Sequence, residues 1–282
     1  MTDLSGRHCL VTGATHGIGR ATAEALAKLG ATVLLHGRDA ISVGAVCREV
    51  VRATGNPDVE GVVGDFGSLA AVRRLAAEIN ARERLDGLIA NAGVLTQKRR
   101  VTQDGFEMQF GVNHLAPFLL TNLLLDVLKR SAPARIVIVA SRAHRRGVLD
   151  FDDLNAERKA YSGFAAYCNS KLANMLFALE LARRLEGTNV TANSLHPGLV
   201  ATQLFRNLGL FGKILSALSF TMLSPARGAE TSVYLASSPD VAGVTGRYFA
   251  NCRPAEPTPA AVDAEAARRL WDLSAKLTGL TG

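Results

Sequence analysis

A tyrosine and a lysine in this chain are spaced so that a helix would bring them together. The run Tyr167-Cys168-Asn169-Ser170-Lys171 separates them by four positions, and side chains at i and i+4 lie on one face of a helix. An ammonium group beside a phenol lowers the pKa of the phenol from its usual value of about 10. Tyr167 is therefore a candidate proton donor and acceptor. An ordinary surface pair is the alternative that this spacing alone leaves open.

Two more polar residues stand where a reacting group would be held. Ser141 directly follows the apolar run Val137-Ile138-Val139-Ala140. We therefore expect its hydroxyl at the carboxyl edge of a strand, within reach of a substrate carbonyl or hydroxyl. Asn113 lies inside a long apolar helical pattern. A polar side chain in such a place needs a hydrogen-bond partner, and a proton-relay water is one candidate.

A glycine-rich turn lies near the start of the chain, between a β-rich run and a helical pattern. Its glycines permit a tight turn and let backbone N–H groups approach a pyrophosphate, while the helix N-terminus adds partial positive charge. A plain glycine-rich turn is the alternative, but the strand before it and the helix after it favour a dinucleotide site. The predicted contacts in this turn are Gly13, Thr15, His16, Gly17, Ile18 and Gly19.

The end of the second predicted strand indicates which dinucleotide binds. In NAD-binding folds an acidic residue about 20 positions after the glycines accepts the ribose 2′-hydroxyl, whereas an arginine suits a 2′-phosphate. Here Gly37 stands where the acidic residue is expected, and Arg38 follows it. Asp39 is expected to cap the next helix. The sequence therefore predicts NADP(H).

Three further segments follow predicted strands and are candidate cofactor contacts. Asp65-Phe66 follows the third strand and is predicted to contact the adenine, with a plain surface loop as the alternative. Asn91-Ala92-Gly93 follows the fourth strand and indicates a tight turn beside the cofactor. Pro197-Gly198 follow the sixth strand, and together with Thr202 they are predicted to close over the nicotinamide.

The elements that must position these residues alternate along the chain. Several of the β-rich runs are apolar throughout, as strands covered on both faces are. This alternation predicts an α/β fold, a Rossmann-type doubly wound parallel sheet of about seven strands with helices on both faces, in a single domain over residues 1–282. The predicted strands are His8–Thr12, Thr32–Leu35, Val59–Val63, Gly87–Ala90, Arg135–Ala140, Val190–Leu195 and Gly246–Phe249. The predicted helices include Ile18–Leu29, Leu69–Ala81, Phe106–Lys129, Ala165–Leu185 and Asp263–Leu277.

Residues 199–225 interrupt this rhythm with an apolar, glycine-punctuated segment. An insertion near the carboxyl edge of the sheet is a candidate substrate lid. Contact with a membrane surface is one alternative, because Arg206 and Lys213 flank its apolar residues, and contact between subunits is another.

Composition limits the function classes. The formal net charge of +7 would suit nucleic acid or an anionic membrane. However, no aromatic residues interleave with the basic clusters, and we interpret the charge as a solvated surface with a site for an anionic cofactor. No nucleic-acid partner is expected. The sequence shows neither a signal peptide nor an apolar run of about 18–20 residues, and peripheral membrane contact stays open.

The cysteines and histidines predict no metal. The four cysteines lack zinc-site spacing and are interpreted as reduced thiols in a cytoplasmic protein. Cys168 is expected to be an inert buried thiol. His114 and His196 are expected to make structural hydrogen bonds. The basic run around His144 is interpreted as a solvated loop, with an anionic-substrate site as the alternative.

Taken together, these motifs resemble the short-chain dehydrogenase/reductase family over essentially the whole chain. The resemblance rests on six motifs in the family's order: Thr12-Gly13-x3-Gly17-Ile18-Gly19, Asn91-Ala92-Gly93, Asn113, Ser141, Tyr167-x3-Lys171 and His196-Pro197-Gly198. It implies that Tyr167 is the general acid/base and that Lys171 tunes it and binds the nicotinamide ribose. It further implies that Ser141 polarises the substrate carbonyl and that Asn113 holds a relay water. The implied reaction is hydride transfer between nicotinamide C4 and a carbonyl or alcohol carbon.

A narrower resemblance is to the retinol dehydrogenase branch. It rests on Phe151-Asp152-Asp153-Leu154-Asn155, Asn113-His114-Leu115, Phe118-Leu119-Leu120-Thr121 and Ser170-Lys171-Leu172-Ala173-Asn174. The branch implies NADP(H) and a lipophilic aldehyde, ketone, alcohol, retinoid or steroid-like substrate. The chain departs from the membrane-bound members because it lacks their N-terminal membrane segment. Relatives imply a homo-oligomer, a dimer or tetramer, formed through the two long helices.

Two functions other than the implied oxidoreductase are open to this sequence. A catalytically weak NADP(H)-binding sensor or scaffold would use the same fold, but all four polar catalytic positions are filled. Nucleic-acid binding driven by the positive charge would be sensitive to salt and ranks last.

Overall fold

The computed structural model describes residues 2–158, 160–198 and 223–280. Thr202 and residues 199–222 of the candidate lid therefore lie outside the described residues. The described chain forms an eight-stranded sheet in the order β3-β2-β1-β4-β5-β6-β7-β8. The first seven strands run parallel, and β8 pairs antiparallel to β7. The expected doubly wound α/β fold is confirmed, and the short β8 is a strand that the sequence pattern did not predict.

The strands agree closely with the β-rich runs of the sequence. They are β1 (His8–Val11), β2 (Thr32–Gly37), β3 (Val59–Val63), β4 (Gly87–Ala90), β5 (Ala134–Val139), β6 (Val190–His196), β7 (Tyr248–Ala250) and β8 (Arg253–Pro254).

Helices fill the connections between the strands. They are α1 (Gly17–Lys28), α2 (Ala40–Thr54), α3 (Leu69–Asn80), α4 (Met108–Phe110), a π-helical turn (Gly111–Leu115), α5 (Ala116–Leu123), α6 (Leu125–Arg130), α7 (Gly163–Arg184), α8 (Pro225–Ser237) and α9 (Ala264–Thr278). Short 3₁₀ turns lie at Arg142–Arg146, Pro239–Val241 and Pro259–Ala261. Asp39 caps α2 as expected, because its carboxylate accepts the Ser42 N–H at 2.9 Å. Among the described helices, none has the length and apolar content needed to cross a bilayer.

Alternate residues of the central strands enter two separate cores. Leu10, Leu88 and Ile138 pack with α3, α5 and α7 on one face, whereas their neighbours Val11 and Ile89 pack with α1, α2 and α8 on the other. Burying each such side chain stabilises the fold by about 2 kcal/mol. Because both faces are covered, the strands are apolar throughout instead of alternating.

The predicted continuous helix Phe106–Lys129 is wrong, because the structure divides it. An isolated β-bridge between Val101 and Glu107 precedes the first helical residue. The short helix α4 is then followed by the π-helical turn, in which the Ala116 N–H bonds the Gly111 carbonyl. Pro117 lacks the N–H that would give the Asn113 carbonyl its ordinary helical partner. The chain therefore leaves regular helix at the residue for which the sequence predicts a special role.

Candidate active site

The site is built where β1 and β4 end side by side. Strand order reverses at this pair, and parallel α/β sheets bind ligands in the crevice outside such a point. The Thr12 hydroxyl accepts the N–H groups of Asn91 and Ala92, both at 3.0 Å. The Asn91 amide returns a bond to the Thr12 carbonyl at 2.8 Å. The two strand ends are therefore fixed to each other by side-chain hydrogen bonds.

Two glycines of the first turn are required by close packing. A Cβ on Gly13 would lie 2.8 Å from the Cα of Ala92, and Gly13 also has a φ of +64°. A Cβ on Gly19 would collide with the Asn91 amide nitrogen and the Gly13 carbonyl. The N-cap residue His16 makes no side-chain cap hydrogen bond to the helix. This turn fits the expected pyrophosphate, since anions bind at helix N-termini through such N–H groups.

The end of β2 brings a cation to the same turn. Gly37 is wedged between Thr15 and Val43, whose methyl groups would lie 2.5 and 2.6 Å from an added Cβ. Arg38 is exposed. Partial burial and then the Arg38 guanidinium lower the pKa of His16, so Arg38 lies within electrostatic reach of the turn. This geometry suits a phosphate beside the turn.

In the segment after β3, Asp65 is partly exposed and Phe66 is buried. The Asp65 carboxylate accepts the N–H of Gly67 at 2.9 Å and is partly exposed. The Phe66 ring is 3% exposed and stacks on His36, with the ring centroids 4.6 Å apart. The Asp65 side chain is thus accessible to a ligand, whereas the Phe66 ring packs inside the protein against His36.

Tyr167 and Lys171 lie on the same face of α7, as the spacing predicted. The Lys171 ammonium is 5.7 Å from the centre of the Tyr167 ring and donates a hydrogen bond to the Val139 carbonyl at 3.0 Å. Both side chains are buried. Burial lowers the pKa of Lys171 to about 8, so it is still mostly protonated at neutral pH.

The expected effect of Lys171 on Tyr167 is corrected by the structure. Burial raises the pKa of Tyr167 to about 12, and a hydrogen bond with the Ser141 hydroxyl acts in the opposite direction. Lys171 produces no downward shift in the pKa of Tyr167, and its ammonium donates to the Val139 carbonyl. At neutral pH Tyr167 therefore carries its proton and is a donor.

The Asn113 side chain, in the π-helical turn, makes three hydrogen bonds to other segments. Its Oδ1 accepts the Val94 N–H at 2.7 Å. Its Nδ2 donates to the Val94 carbonyl and to the Ser170 hydroxyl, both at 3.0 Å. Its carboxamide oxygen also lies 3.3 Å, and the Lys171 ammonium 3.6 Å, from where a Cβ of Gly93 would be. Gly93, Asn113 and Lys171 therefore meet at one point, where an added Cβ would be tightly packed.

Ser141 is held by His144, a residue of the basic run that the sequence indicated as a solvated loop. The Ser141 carbonyl accepts both the backbone N–H of His144, at 3.0 Å, and its Nδ1, at 2.7 Å. The Ser141 hydroxyl accepts the Ala143 N–H at 3.1 Å. His144 is only 1% exposed and lies against Tyr248. The interpretation of this run as a solvated loop is wrong for His144, although its arginine neighbours are exposed.

Several other residues singled out in the sequence lie within the described parts of the chain. Gly198, after Pro197 at the end of β6, has a φ of +88°, and its N–H bonds His196 Nδ1 at 3.2 Å. His114 is buried and its Nε2 contacts the Ser274 hydroxyl at 2.9 Å, which confirms its structural role. Cys168 is 1% exposed, and burial raises the pKa of its thiol. No three metal-binding side chains cluster within the parts of the chain that the structure describes.

Comparison with known proteins bears directly on this arrangement. The family model of the short chain dehydrogenases matches residues 7–210. The chain belongs to the short-chain dehydrogenase family.

Individual relatives of this dehydrogenase agree with the narrower resemblance. Human retinol dehydrogenase 14 is 48% identical over 295 residues, which cover 98% of this chain and 88% of the relative. Human retinol dehydrogenase 13 is 47% identical over 284 residues, covering 98% and 86%. The resemblance to the retinol dehydrogenase branch is confirmed.

Solved structures of the family share its architecture. An uncharacterized protein from Mycobacterium paratuberculosis superposes with a TM-score of 0.82 at 35% identity, covering 99% of this chain and 96% of that one. The NADP complex of RhlG from Pseudomonas aeruginosa superposes with a TM-score of 0.70 at 28% identity, covering 88% and 95%. This oxidoreductase therefore has the family's fold, and a nicotinamide cofactor belongs to that fold.

Proposed function

We propose that the protein is an NADP(H)-dependent oxidoreductase that interconverts a carbonyl and an alcohol on a lipophilic substrate. The observation that carries the proposal is the convergence of Tyr167, Lys171, Asn113 and Ser141 beside the glycine turn. Chemical groups that donate protons and polarise a carbonyl thus stand next to a turn suited to a dinucleotide phosphate.

The polar groups have separate proposed roles. When bound, the nicotinamide supplies or receives a hydride at C4. Ser141 hydrogen-bonds the substrate oxygen, and Tyr167 gives its phenolic proton to that oxygen as a carbonyl is reduced. The pKa of Tyr167, raised by burial to about 12, keeps this proton on the phenol at neutral pH. The phenol is still a stronger acid than the product alcohol, so proton transfer from Tyr167 to the forming alkoxide is favourable.

Lys171 and Asn113 are proposed to restore the proton that Tyr167 gives up. The Lys171 ammonium lies 3.6 Å from where a Cβ of Gly93 would be, and it would hold the nicotinamide ribose there, as the family resemblance implies. Asn113 lies where the π-helical turn and Pro117 leave its carbonyl without the ordinary helical bond, which suits a relay water. Both residues are buried.

The choice of NADP(H) rests on Arg38 and on the chemistry of the turn. An exposed guanidinium beside His16 suits the 2′-phosphate, since arginine makes paired, charge-assisted bonds to phosphates. We place Gly13, Thr15, Gly17, Ile18 and Gly19 on the pyrophosphate. Asp65 with the Phe66 backbone, Asn91-Ala92-Gly93 and Pro197-Gly198 complete the proposed cofactor site. Thr202 stays a prediction on sequence alone.

A lipophilic substrate is the part of the proposal that rests most on the relatives. The chain resembles proteins named retinol dehydrogenases over nearly its whole length, and retinol is an apolar alcohol. A sensor without turnover would have no need of the filled catalytic positions. We therefore rank the oxidoreductase above a non-catalytic cofactor-binding scaffold.

The experiment is a screen of cofactor oxidation over retinal, medium-chain aldehydes, steroids and quinones. We expect turnover with NADPH on at least one apolar carbonyl, and turnover at least tenfold slower with NADH. Absence of turnover over the whole panel, with tight NADPH binding retained, would favour the scaffold. Equal rates with NADPH and NADH would contradict the role of Arg38.

A further inference from the structure

One buried histidine joins three segments of the proposed cofactor site. His36 is the next-to-last residue of β2 and is 2% exposed. Its ring lies between the glycine turn after β1 and the segment that follows β3, and it stacks on Phe66 with an interplanar angle of 27°. A polar ring in such a place is stabilised only if its nitrogens are paired.

Both ring nitrogens of His36 bond backbone groups of different segments. Nδ1 accepts the Gly13 N–H at 3.2 Å, and Nε2 bonds the Gly64 carbonyl at 2.9 Å. The His36 carbonyl also accepts the Ala14 N–H at 2.8 Å. A single residue thus holds two successive N–H groups of the glycine turn and one carbonyl of the opposite segment.

These partners allow only one form of the imidazole. A carbonyl oxygen can only accept, so the proton must lie on Nε2, and Nδ1 must keep its lone pair for Gly13. A ring with protons on both nitrogens would lose the Gly13 bond. Burial lowers the pKa of His36 to about 4, while the Gly64 carbonyl and the Asp65 carboxylate act in the opposite direction. The neutral ring therefore persists throughout the neutral range.

We infer that His36 is a positioning residue that holds the glycine turn and the segment after β3 at the separation that a bound adenosine diphosphate group needs. This inference rests on the proposed function, because it concerns the same cofactor site. In this role His36 touches neither the reacting atoms nor the 2′-phosphate. It acts by fixing the backbone of Gly13, Ala14 and Gly64 before the cofactor arrives, so that binding does not have to order them.

Two consequences distinguish this role from that of its neighbour Arg38. Loss of His36 weakens NADPH and NADH by the same factor, because both share the adenosine diphosphate group. Loss of Arg38 weakens NADPH alone. At saturating cofactor the reaction rate of a His36 variant is unchanged, because Tyr167 and Lys171 both lie on α7 and Lys171 is bonded to β5.

Three variants separate the two hydrogen bonds from the stacked ring. His36→Phe keeps a ring against Phe66 and loses both bonds. His36→Asn places an amide oxygen near the Nδ1 position and keeps an acceptor for Gly13. His36→Gln places an amide nitrogen near the Nε2 position and keeps a donor for Gly64. The matched control is Asn56→Ala, because the Asn56 amide likewise donates to two backbone groups, the carbonyls of Ala27 at 2.9 Å and of Ala31 at 3.0 Å. Asn56 does so at the opposite, amino edge of the sheet.

Titration calorimetry with NADPH and with NADH is the test, with no carbonyl substrate present. We expect the Kd of both cofactors to rise at least tenfold in His36→Phe, equivalent to about 1.4 kcal/mol, and less in the Asn and Gln variants. We expect Asn56→Ala to lower thermal stability but leave Kd within twofold. Side-chain ¹⁵N spectra of the free wild-type protein should show the Nε2–H form.

Several outcomes overturn the inference. A His36→Phe variant that binds both cofactors as tightly as the wild type removes the positioning role. If that variant does not fold, unchanged Kd values in both the Asn and Gln variants do the same. An equal loss of affinity in Asn56→Ala shows a general stability effect instead. If the wild-type protein itself binds neither cofactor, the proposed function fails, which is a separate result.

Discussion

At the residue scale, the chemistry depends on environment as much as on residue type. Tyr167 and Lys171 share a helix face, but each is shifted by its own burial: the pKa of Lys171 falls to about 8 and that of Tyr167 rises to about 12. The pKa of Lys171 is therefore lower, and that of Tyr167 higher, than the value of the same side chain exposed to water. The buried phenol is thus a proton donor at neutral pH, with a charged lysine beside it.

Arg38 carries a prediction about cofactor choice. Arg38→Ser should raise the Kd of NADPH about tenfold or more while that of NADH stays within twofold, because a charge-assisted bond to phosphate contributes about 1.5–3 kcal/mol. Calorimetric titration of each cofactor measures this. The control is Arg52→Ser, since Arg52 is an exposed arginine in the last turn of α2 and its loss changes the net charge equally. Equal weakening of both cofactors would count against a 2′-phosphate contact.

Residue types and spacing predicted the positions of the main polar groups but not their partners. The i, i+4 rule placed Tyr167 and Lys171 together, because helix periodicity is local. It could not show that the Lys171 ammonium bonds Val139 on another element. The roles of His36 and His144 depend in the same way on backbone groups brought together by the fold, and no motif in the sequence marked them.

At the scale of elements, the amino edge of the sheet is held by one carboxylate. Asp86 precedes β4 and is 4% exposed in its side chain. It accepts hydrogen bonds from Arg84 at 2.7 and 2.9 Å, from Arg7 at 2.8 Å and from the His8 N–H at 2.8 Å. It thus joins the start of β1 to the start of β4, opposite the end where the cofactor is proposed to bind.

This carboxylate predicts how stability changes in acid. Burial by itself would raise the pKa of Asp86, but the bonds from Arg84, His8 and Arg7 outweigh it, and the net shift is downward from 3.8. A depressed pKa in the folded state stabilises the protein above the unfolded value, and this contribution is lost as the pH falls through and below it. Asp86→Asn should therefore lower the free energy of unfolding by about 2 kcal/mol at pH 7.

Urea unfolding from pH 7 down to pH 3 checks this prediction. The difference between wild type and Asp86→Asn should be constant above about pH 5 and shrink below pH 4. Asp58→Asn is the control, because Asp58 is an exposed carboxyl group just before β3, and it should have little effect. A difference between Asp86→Asn and wild type that is independent of pH would show that the carboxylate charge is not what stabilises this edge.

The elements themselves were predicted best where a single period runs unbroken. Both-face burial makes strands such as β1 and β5 apolar throughout, and these were recognised within one residue at each end. The helix predicted at Phe106–Lys129 was not continuous, since its apolar pattern persists through the π-helical turn. The apolar pattern of the sequence reports which residues are buried. Residues 111–115 stay buried although their backbone hydrogen bonds change from α-helical to π-helical.

At the scale of the whole molecule, strand order decides where the separate motifs meet. The glycine turn follows β1, Asn91-Ala92-Gly93 follows β4, and Ser141 follows β5, and these three strands are neighbours. Alternation of strands and helices predicted the parallel sheet. The order of its strands brings residues from positions 13 to 198 to one edge, which explains why motifs far apart in the sequence form one site.

At the same scale, the proposed reaction depends on the proton that Tyr167 donates. The measurement is the single-turnover rate of NADPH oxidation with the best carbonyl substrate of the screen, compared between wild type and Tyr167→Phe. Tyr234→Phe makes the same chemical change on α8, where the ring contacts Phe249, and serves as the control. We predict a rate lower by about 10² to 10⁴-fold in Tyr167→Phe, with the Kd of NADPH within threefold of wild type and the control unchanged. A Tyr167→Phe variant that still oxidises NADPH at the wild-type rate would contradict the mechanism.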